Sequence, residues 1–491
     1  MFPYKTSLYL DRSLSQPLYL QLTNQFIALI KAGKLHSGTK LIGSRSLSNL
    51  LSVHRKTIVA CYDELAMQGW VESIPKKGTF IHSNLPVLQQ QPFVKQSFSS
   101  SQKTSGFSFY TKPELGSAYA TLDSNFTYID DGVSDTRLTP IDDLARIYRR
   151  IAARPSIFKE LSYGTTYGND TLRTVLVQYL NETRGLNITK EQLLITWGRQ
   201  MGVYLATQLL LNEDDIITIG ETNYASATIT FKNQNANIMT VPVDAYGLNT
   251  EAVEKLCKNH IVKALYVTSH HHHPTTVTLS AERRLHLLNL SKDYNFAIIE
   301  DDYDYDFNYN HAPILPLASH DVNDHVIYIG SVCKTVAPVF RIGYLIASEA
   351  FVDEAAKLRR YIDRQGDVIL ELAFAEFIKT GDLDRHIRKV LKIYKTRRDV
   401  FCKLLKDELA EYFSFEIPKG GMAIWLKLDT QYCWKQLATH ALKYKLIIPN
   451  WERYDLFDKG HNAIRIGFAS LNPNEIVALV SLLKKACQDL K

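Results

Sequence analysis

The sequence predicts an α/β protein with a small N-terminal domain of three helices and a β-hairpin, a linker, and a much larger domain of alternating strands and helices. Three observations support this organisation. Positive charge is concentrated in residues 1–82, a polar stretch rich in Gln, Ser, Lys and Pro occupies residues 83–128, and short apolar runs alternate with helical stretches from about residue 129. A chain of 491 residues has room for about two to four domains of ordinary size.

The charge of the chain divides unevenly between these parts. Residues 1–82 contain ten Lys or Arg against four Asp or Glu, whereas the remainder contains 47 of each kind. A basic module on a neutral body predicts a head that binds a polyanion, and a basic domain without such a partner is the alternative. The six cysteines are scattered without a CxxC pair, which fits a reducing cytosol. We find no apolar run long enough for a bilayer span and no signal-like N-terminal run, so we expect a cytoplasmic protein without a membrane partner.

The head reads as three helices and a hairpin. Apolar residues recur every four positions in the first helix, at Leu18, Leu22, Phe26 and Ile30. A second helix is predicted to begin at Ser44, with Leu47, Leu50 and Leu51 facing inward. A third should run over about 54–68, with an inward stripe of Ile58, Cys61, Tyr62 and Leu65. Two strands follow, over 70–74 and 78–82, around a turn that contains two lysines.

Three helices followed by a hairpin is the order of a winged helix-turn-helix, whose third helix enters the major groove of DNA. Candidate contacts stand at the start of the second helix, in the leading turn of the third helix and at the hairpin tip: Arg45, His54, Arg55, Lys56, Thr57, Lys76, Lys77 and Gly78. Cationic side chains bind phosphates, and arginine forks onto guanine. Glycine at the tip permits close approach to the DNA backbone. The alternative is a basic domain whose charges are only solvated.

The large domain carries a candidate Schiff-base lysine. Lys334 follows the strand-like run VIYIGS (326–331), among small hydroxyl residues. Such a lysine can bond an aldehyde cofactor whose phosphate contacts Ser331, with Arg341 as a second phosphate contact. A solvent-exposed lysine after a strand is the alternative.

A carboxylate and a phenol follow a second apolar run. Asp301 and Tyr303 lie two residues apart in an extended stretch, and therefore on one side of it. A carboxylate can keep a cofactor's pyridine nitrogen protonated, and a phenol can tune the Schiff-base proton. Asp302 is the rival for the carboxylate role. An acidic cluster of this kind can also bind metal, but no matching ligand set is present and we expect no metal site.

Three further positions complete the candidate site. Gly198, Arg199 and Gln200 open a helix whose free amides can bind phosphate. Tyr224 can stack on an aromatic cofactor, with core packing as the alternative. Arg465 can hold a substrate carboxylate, with a surface ion pair as the alternative.

The head resembles the GntR type of winged helix over residues 12–82. The matching elements are SRSL (44–47), HRKT (54–57), YDEL (62–65) and GTF (78–80). His54 stands where such heads usually have a serine that caps the third helix, and it is the weaker cap.

The body resembles the fold-type I aminotransferases, and head and body together resemble the MocR/GabR-type regulators. The match runs over about 129–490 and includes YGTTYGNDTLR (163–173), IIEDDYDYDF (298–307), GSVCKTVAPVFRIGYL (330–345) and RIGF (465–468). It implies domains at 12–82 and 129–490, a linker at 83–128 and a smaller α+β subdomain from about 385. Two departures are Cys333 before the lysine and the four-histidine run at 270–273.

The resemblance also implies a cofactor and roles. Pyridoxal 5'-phosphate (PLP) would bond Lys334, with Asp301 at the pyridine nitrogen, Tyr303 at the ring hydroxyl and Tyr224 stacked. Its phosphate would lie among Gly198, Arg199, Gln200, Ser331 and Arg341, and Arg465 would take an effector carboxylate.

The expected protein is a PLP-dependent DNA-binding transcription regulator that senses a small amino compound through an external aldimine. We expect a head-to-tail homodimer on a double-stranded DNA operator. The alternatives are an aminotransferase with an accessory DNA-binding head, and a regulator whose body no longer holds PLP. Residual transamination is compatible with the first reading, and the effector is left open among γ-aminobutyrate, taurine, an α-amino acid and PLP itself.

Overall fold

The computed structural model describes residues 2–85, 107–112, 115, 123–309, 314–332 and 334–491. The chain divides into two compact units, residues 1–109 and 110–491. Cys333 and most of the stretch predicted to be a linker lie outside the described residues. Among the described helices, none is long and apolar enough to cross a membrane.

The N-terminal unit contains the predicted three helices and hairpin, preceded by one further short helix. Its elements are α1 (Tyr4–Ser7), α2 (Leu18–Lys31), α3 (Ser44–Leu51), α4 (Arg55–Met67), β1 (Val71–Ile74) and β2 (Gly78–Ile81). The strands pair antiparallel, with Val71 opposite Ile81. Each bound that was predicted for these helices and strands lies within about a residue of the observed one, because Gly33, Gly69, Gly78 and the apolar spacing mark most of them.

One apolar core holds this unit together, and it corrects two predictions. Leu22, Phe26 and Leu65 are fully buried in it. Leu50 was predicted to face inward but is exposed, because the core-facing stripe of α3 runs through Leu47, Ser48 and Leu51 and leaves Leu50 at its edge. The predicted start of the domain at residue 12 is also too late, because Tyr4 and Leu8 are buried in the same core.

The large unit alternates strands and helices along most of its length. Its elements are β3 (Thr127–Tyr128), α5 (Ile141–Ala152), α6 (Asp170–Arg184), β4 (Leu193–Trp197), α7 (Arg199–Leu210), β5 (Ile216–Gly220), α8 (Ala225–Asn233), β6 (Asn237–Val241), β7 (Val243–Asp244), β8 (Gly247–Leu248), α9 (Thr250–Asn259), β9 (Val262–Val267), α10 (Ala281–Tyr294), β10 (Ala297–Asp302), β11 (Val326–Ser331), β12 (Ile342–Ile346), α11 (Glu349–Arg359), α12 (Val368–Lys379), α13 (Asp382–Leu409), β13 (Phe413–Ser414), β14 (Ala423–Leu428), α14 (Trp434–Lys443), β15 (Leu446–Ile447), β16 (Ala463–Gly467) and α15 (Pro473–Gln488).

Seven of the described strands form one twisted sheet in the order β4-β12-β11-β10-β9-β5-β6. β12 runs antiparallel to its neighbours β11 and β4, while the pairs from β11 through to β6 are parallel. The four apolar runs predicted as strands of this sheet are β5, β9, β10 and β11. Helices cover both faces: α5, α6 and α12 pack on one side, and α7, α8 and α11 on the other. The prediction of a largely parallel, doubly wound sheet is therefore confirmed.

A smaller subdomain surrounds the antiparallel sheet β13-β14-β16 and the helices α13, α14 and α15. The predicted strands at 422–428 and 463–469 are β14 and β16, and the predicted long basic helix is α13. One difference concerns residues 127 and 128, which were placed in the linker. They form β3 and pair with β15, so this segment belongs to the small subdomain. A two-residue strand has no periodicity by which a sequence could reveal it.

Candidate functional site

The predicted site residues of the large unit come together at one edge of its sheet. In parallel β-sheets, ligands bind outside the carboxyl ends of the strands. Asp301 lies at that end of β10 with Tyr303 just beyond it, and Lys334 follows β11. Tyr224 follows β5, and Gly198 stands between β4 and α7. Chain connectivity therefore gathers residues that are more than 100 positions apart in sequence.

Lys334 lies inside this cluster rather than in solvent. Its Nζ donates to the carbonyl oxygen of Gly132 at 3.3 Å and lies 4.5 Å from the centre of the Tyr303 ring. Burial, together with the guanidinium groups of Arg199 and Arg465, lowers the pKa of Lys334 to about 8. A substantial fraction of the amine is therefore neutral near physiological pH, which is the form that attacks a carbonyl carbon.

Asp301 is fully buried, and its two carboxylate oxygens differ in their hydrogen bonding. Its Oδ2 accepts from the hydroxyl of Tyr266 at 2.5 Å and from Nη1 of Arg199 at 2.5 Å. Its Oδ1 is buried and finds no hydrogen-bond partner within the part of the chain that the structure describes. Burial raises the pKa of Asp301, and Arg199 opposes that rise. A buried carboxylate oxygen of this kind can accept from a cationic N–H group.

The rival carboxylate, Asp302, faces a different environment. Its Oδ2 accepts from the hydroxyl of Tyr328 at 2.6 Å, and its Oδ1 lies 3.2 Å from Nδ1 of His270. Burial acts to raise the pKa of Asp302, but His270 and Tyr328 outweigh it and the pKa is lowered. The alternation of side chains along β10 thus sends the two aspartates to opposite faces of the sheet.

Two tyrosine rings and one guanidinium group form the centre of the cluster. The Cζ carbon of Arg199 lies 4.5 Å from the centre of the Tyr224 ring and 5.2 Å from that of Tyr303. The hydroxyl of Tyr303 donates to the carbonyl oxygen of His271 at 2.7 Å. From the sequence, Arg199 was predicted to contribute only its backbone amide at the start of α7. The structure adds a side chain that joins Asp301 to both rings.

The turn before α7 brings Arg341 against Gly198. Gly198 has φ +73° and ψ 170°, a backbone conformation that essentially only glycine adopts, and the Arg341 guanidinium carbon lies 2.9 Å from where its Cβ would stand. Arg341 donates to the carbonyl oxygen of Trp197 at 3.1 Å. Ser331 donates through its hydroxyl to the carbonyl oxygen of Ile342 at 3.0 Å. Helix amides, a guanidinium and a hydroxyl on these neighbouring segments are groups that bind phosphate.

Gln200 is turned away from this turn. Its Nε2 donates to the hydroxyl of Thr230 on α8 at 2.9 Å, so its side chain joins α7 to α8. Only its backbone amide is then available at the start of α7.

Arg465 is fully buried on β16 of the small subdomain. Its Nε donates to the carbonyl oxygen of Asp131 at 2.8 Å and its Nη1 to that of Pro274 at 3.1 Å. Its Cζ lies 5.8 Å from the centre of the Tyr303 ring. The alternative of a surface ion pair is therefore wrong for this residue.

Asp131, three residues after β3, was not predicted from the sequence. Its Oδ2 lies 3.2 Å from Arg453 and 3.6 Å from Nε2 of His273. Burial acts to raise the pKa of Asp131, but His273, Lys334 and Arg453 hold it well below its usual range. The pair of acidic residues before Gly132 was the only signal in the sequence.

The four histidines at 270–273 are all buried, and each has different neighbours. Nδ1 of His271 lies 2.9 Å from Asp304, and Nδ1 of His272 lies 2.9 Å from the Thr275 hydroxyl. Burial lowers the pKa of His273 to about 3, so its ring is neutral. Among the described residues, no group of three or more His, Cys, Asp or Glu side chains is arranged to hold a metal ion.

The candidate DNA contacts of the N-terminal unit lie on exposed elements. Side chains exposed to solvent are those of Arg45, His54, Arg55, Lys56, Lys76 and Lys77, while Thr57 is half-buried. Nδ1 of His54 accepts from the amide of Lys56 at 3.2 Å, so His54 does cap α4. Nε of Arg55 lies 3.4 Å from the Ser44 hydroxyl, which places the starts of α3 and α4 side by side. Gly78, with φ +114°, is exposed at the hairpin turn.

Taken with the sheet order, the lysine and aspartate at neighbouring strand ends define a fold-type I aminotransferase domain. Residues 143–483 match the family Aminotransferase class I and II, and the chain belongs to that family. The large unit is similar to the kynurenine aminotransferase of Pyrococcus horikoshii, solved in complex with PMP. The TM-score is 0.72 at 26% identity, covering 78% of this chain and 98% of that one.

Two relatives are similar over both units. The uncharacterized HTH-type transcriptional regulator YdeL of Bacillus subtilis is 26% identical over 97% of this chain and 98% of its own length. The probable rhizopine catabolism regulatory protein MocR of Rhizobium meliloti is 24% identical over 98% of this chain and 95% of its own. The similarity of the chain to MocR-type regulators, expected from its motifs, is confirmed.

Proposed function

We propose that this protein is a transcription regulator whose large unit binds PLP and senses an amino compound, and whose N-terminal winged helix-turn-helix binds an operator in double-stranded DNA. The observation that carries the proposal is the presence, in one chain, of a buried lysine of lowered pKa beside a buried aspartate and of a separate unit with an exposed basic helix and hairpin. A metabolic enzyme has no use for the second feature.

The residues of the large unit fit PLP as a cofactor. Oδ1 of Asp301 is a buried acceptor without a partner among the described residues, which suits a protonated pyridine nitrogen. The start of α7, Ser331 and Arg341 suit the phosphate, and Tyr224 offers a ring on which to stack. PLP supplies an aldehyde that condenses reversibly with amines and a ring that accepts electrons.

The chain's own groups set the conditions for that chemistry. The neutral fraction of Lys334 provides the nucleophile, and Arg199 and Arg465 help to keep its proton off. The Tyr303 hydroxyl donates to the His271 carbonyl, and the Tyr303 ring lies 4.5 Å from Nζ of Lys334. In this position its oxygen would accept a hydrogen bond from the hydroxyl of a bound PLP ring. Arg465 lies against Tyr303 and can bind an effector carboxylate with its guanidinium group.

In the head, the leading turn of α4 would enter the major groove and the hairpin tip would contact the phosphate backbone. Arg55 and Lys56 lead the helix, and Lys76 and Lys77 form the tip. We further propose that the protein acts in the cytoplasm as a head-to-tail homodimer, which would favour paired half-sites in its operator.

A second candidate, an aminotransferase with an accessory head, is favoured by the intact pair of Lys334 and Asp301. His273 weakens it, because true aminotransferases often carry an asparagine against the ring hydroxyl at that position. The neutral His273 ring packs edge-on against Tyr224 at 5.1 Å instead.

One experiment separates these functions. A duplex enriched from a random library on the wild-type protein serves as the DNA probe, and Lys334→Ala serves as the matched control. With PLP added, the wild type should gain a visible absorption band that the variant lacks. An amine that shifts this band should also change DNA affinity in the wild type alone. The regulator proposal fails if every amine that shifts the band leaves DNA affinity unchanged, or if no band forms.

A further inference from the structure

The side chain of Arg199 bridges the two groups that a pyridine ring would need. Its Nη1 is 2.5 Å from Oδ2 of Asp301, and its Cζ is 4.5 Å from the centre of the Tyr224 ring. The Arg199 side chain is 14% exposed and the Asp301 side chain 0%, so the pair is shielded from water. The contact is therefore a built feature of the site and not a mobile surface pair.

A guanidinium group and a protonated pyridine share the properties that Asp301 and Tyr224 would recognise in a bound ring. Both are flat, both carry a delocalised positive charge, and both present an N–H to a carboxylate while their faces stack on an aromatic ring. Oδ1 of Asp301 stays available to a pyridine nitrogen, but the Tyr224 ring beside Arg199 cannot receive a pyridine on the face that the guanidinium group covers.

From this overlap, and resting on the proposed PLP function, we propose that Arg199 is an internal competitor of the cofactor. Its guanidinium group lies beside the Tyr224 ring where the pyridine would stack, and it must move off that ring before the cofactor can bind. Arg199 also stands at the first position of α7, directly after Gly198, so its displacement takes place at the helix start that would bind the phosphate.

Competition by Arg199 lowers the apparent affinity of the protein for PLP. A site whose competent form is only fractionally populated binds with an affinity reduced by that fraction. The same arginine stabilises the empty protein, because it neutralises a carboxylate that would otherwise be buried without a cation. Removing the Arg199 guanidinium group should therefore raise the affinity for PLP and lower the stability of the apoprotein.

The test compares full-length wild type with Arg199→Gln, which keeps much of the side chain's length and polarity but loses its charge. PLP binding is measured by absorption titration, and apoprotein stability by thermal unfolding. We expect the PLP dissociation constant to fall about tenfold in Arg199→Gln, and the melting temperature of the apoprotein to fall. Arg199→Lys, which keeps the charge but cannot stack as a flat fork, provides an intermediate case if the glutamine variant does not fold.

Arg341→Gln is the matched control, because it removes another guanidinium from the same strand ends without touching Asp301. PLP is an anion, so loss of a nearby cation should ordinarily weaken its binding, and this control should do so. Arg199→Gln should change affinity in the opposite direction.

The outcomes separate the inference from the proposed function. If the wild type binds PLP and Arg199→Gln binds it equally or more weakly, the competitor role is wrong and the proposed function stands. If only Arg199→Gln binds PLP, the competitor role stands and the wild type is not a PLP sensor. If neither protein binds, both are overturned.

Discussion

The hydroxyl of Tyr266 on β9 donates to Oδ2 of Asp301 on β10 at 2.5 Å, at the point where the two neighbouring strands end. A hydrogen bond to a charged group contributes about 1.5–3 kcal/mol. This bond favours the carboxylate form of Asp301 against the burial that raises its pKa.

Tyr266→Phe should therefore raise the pKa of Asp301 further and weaken PLP binding about tenfold. Tyr328→Phe is the matched control, because it removes a bond of nearly the same length, 2.6 Å, from Asp302. Absorption titration of both variants measures the effect. If Tyr328→Phe weakens binding and Tyr266→Phe does not, then Asp302, and not Asp301, is the carboxylate at the pyridine nitrogen.

The pH dependence of cofactor attachment should follow Lys334. Below its pKa of about 8 the lysine carries a proton and cannot attack an aldehyde, so attachment should be slow at pH 6 and should rise through pH 8. Stopped-flow absorption across this range gives the midpoint. A midpoint near the ordinary lysine pKa of about 10.4 would contradict the environment described for this residue.

Arg465→Lys should change effector selectivity. A lysine cannot form the forked contact of a guanidinium with a carboxylate. We expect the apparent dissociation constant for an α-amino acid such as alanine to rise about tenfold, while that for ethylamine, which lacks the carboxylate, stays constant. Spectral titration of PLP-loaded protein measures both, and an equal change for the two amines would indicate a general loss of packing.

In the head, the paired substitution Lys76→Ala and Lys77→Ala should reduce the salt dependence of DNA binding. Each lost phosphate contact lowers the slope of log affinity against log salt by about 0.9, so a decrease of roughly two is expected if both lysines bind phosphate. Fluorescence anisotropy over a salt series gives the slope. Lys34→Ala, which removes an exposed lysine outside α4 and the hairpin, serves as the control.

Core substitutions test the packing of the head. Leu65 is fully buried and Met67, two residues on, is 78% exposed. Leu65→Ala should cost about 2–5 kcal/mol of the free energy of unfolding, because it leaves a cavity. Met67→Ala should cost less than about 0.5 kcal/mol. Denaturant titration, followed through DNA binding, compares the two, and similar losses would contradict the position of α4.

The sequence allowed the main elements to be predicted where periodicity was strong. α2, α4, the hairpin and the buried strands β5, β9, β10 and β11 all lie where apolar spacing placed them. β3 could not be predicted, because a strand of two residues is defined by its partner β15 and not by its own composition.

The residues of the candidate site likewise divide into those that local sequence patterns could predict and those that depend on distant partners. Residues adjacent to strand ends, such as Lys334 and Asp301, could be proposed because chain order fixes which edge of the sheet they reach. The Arg199 side chain and Asp131 escaped prediction, because their roles depend on contacts with residues more than 100 positions away. Long-range pairing of this kind leaves no local pattern in a single sequence.

The backbone at Gly132 and Asp131 is shared by the candidate Schiff-base lysine and the candidate effector-binding arginine. Its carbonyl oxygen accepts from Lys334, and the neighbouring carbonyl of Asp131 accepts from Arg465. These peptide groups come only a few residues after β3, on the stretch of chain that leads back toward the head. Any change in the bonding of Lys334 therefore alters a hydrogen bond to the backbone of this short segment, which the Arg465 guanidinium group also holds one residue earlier.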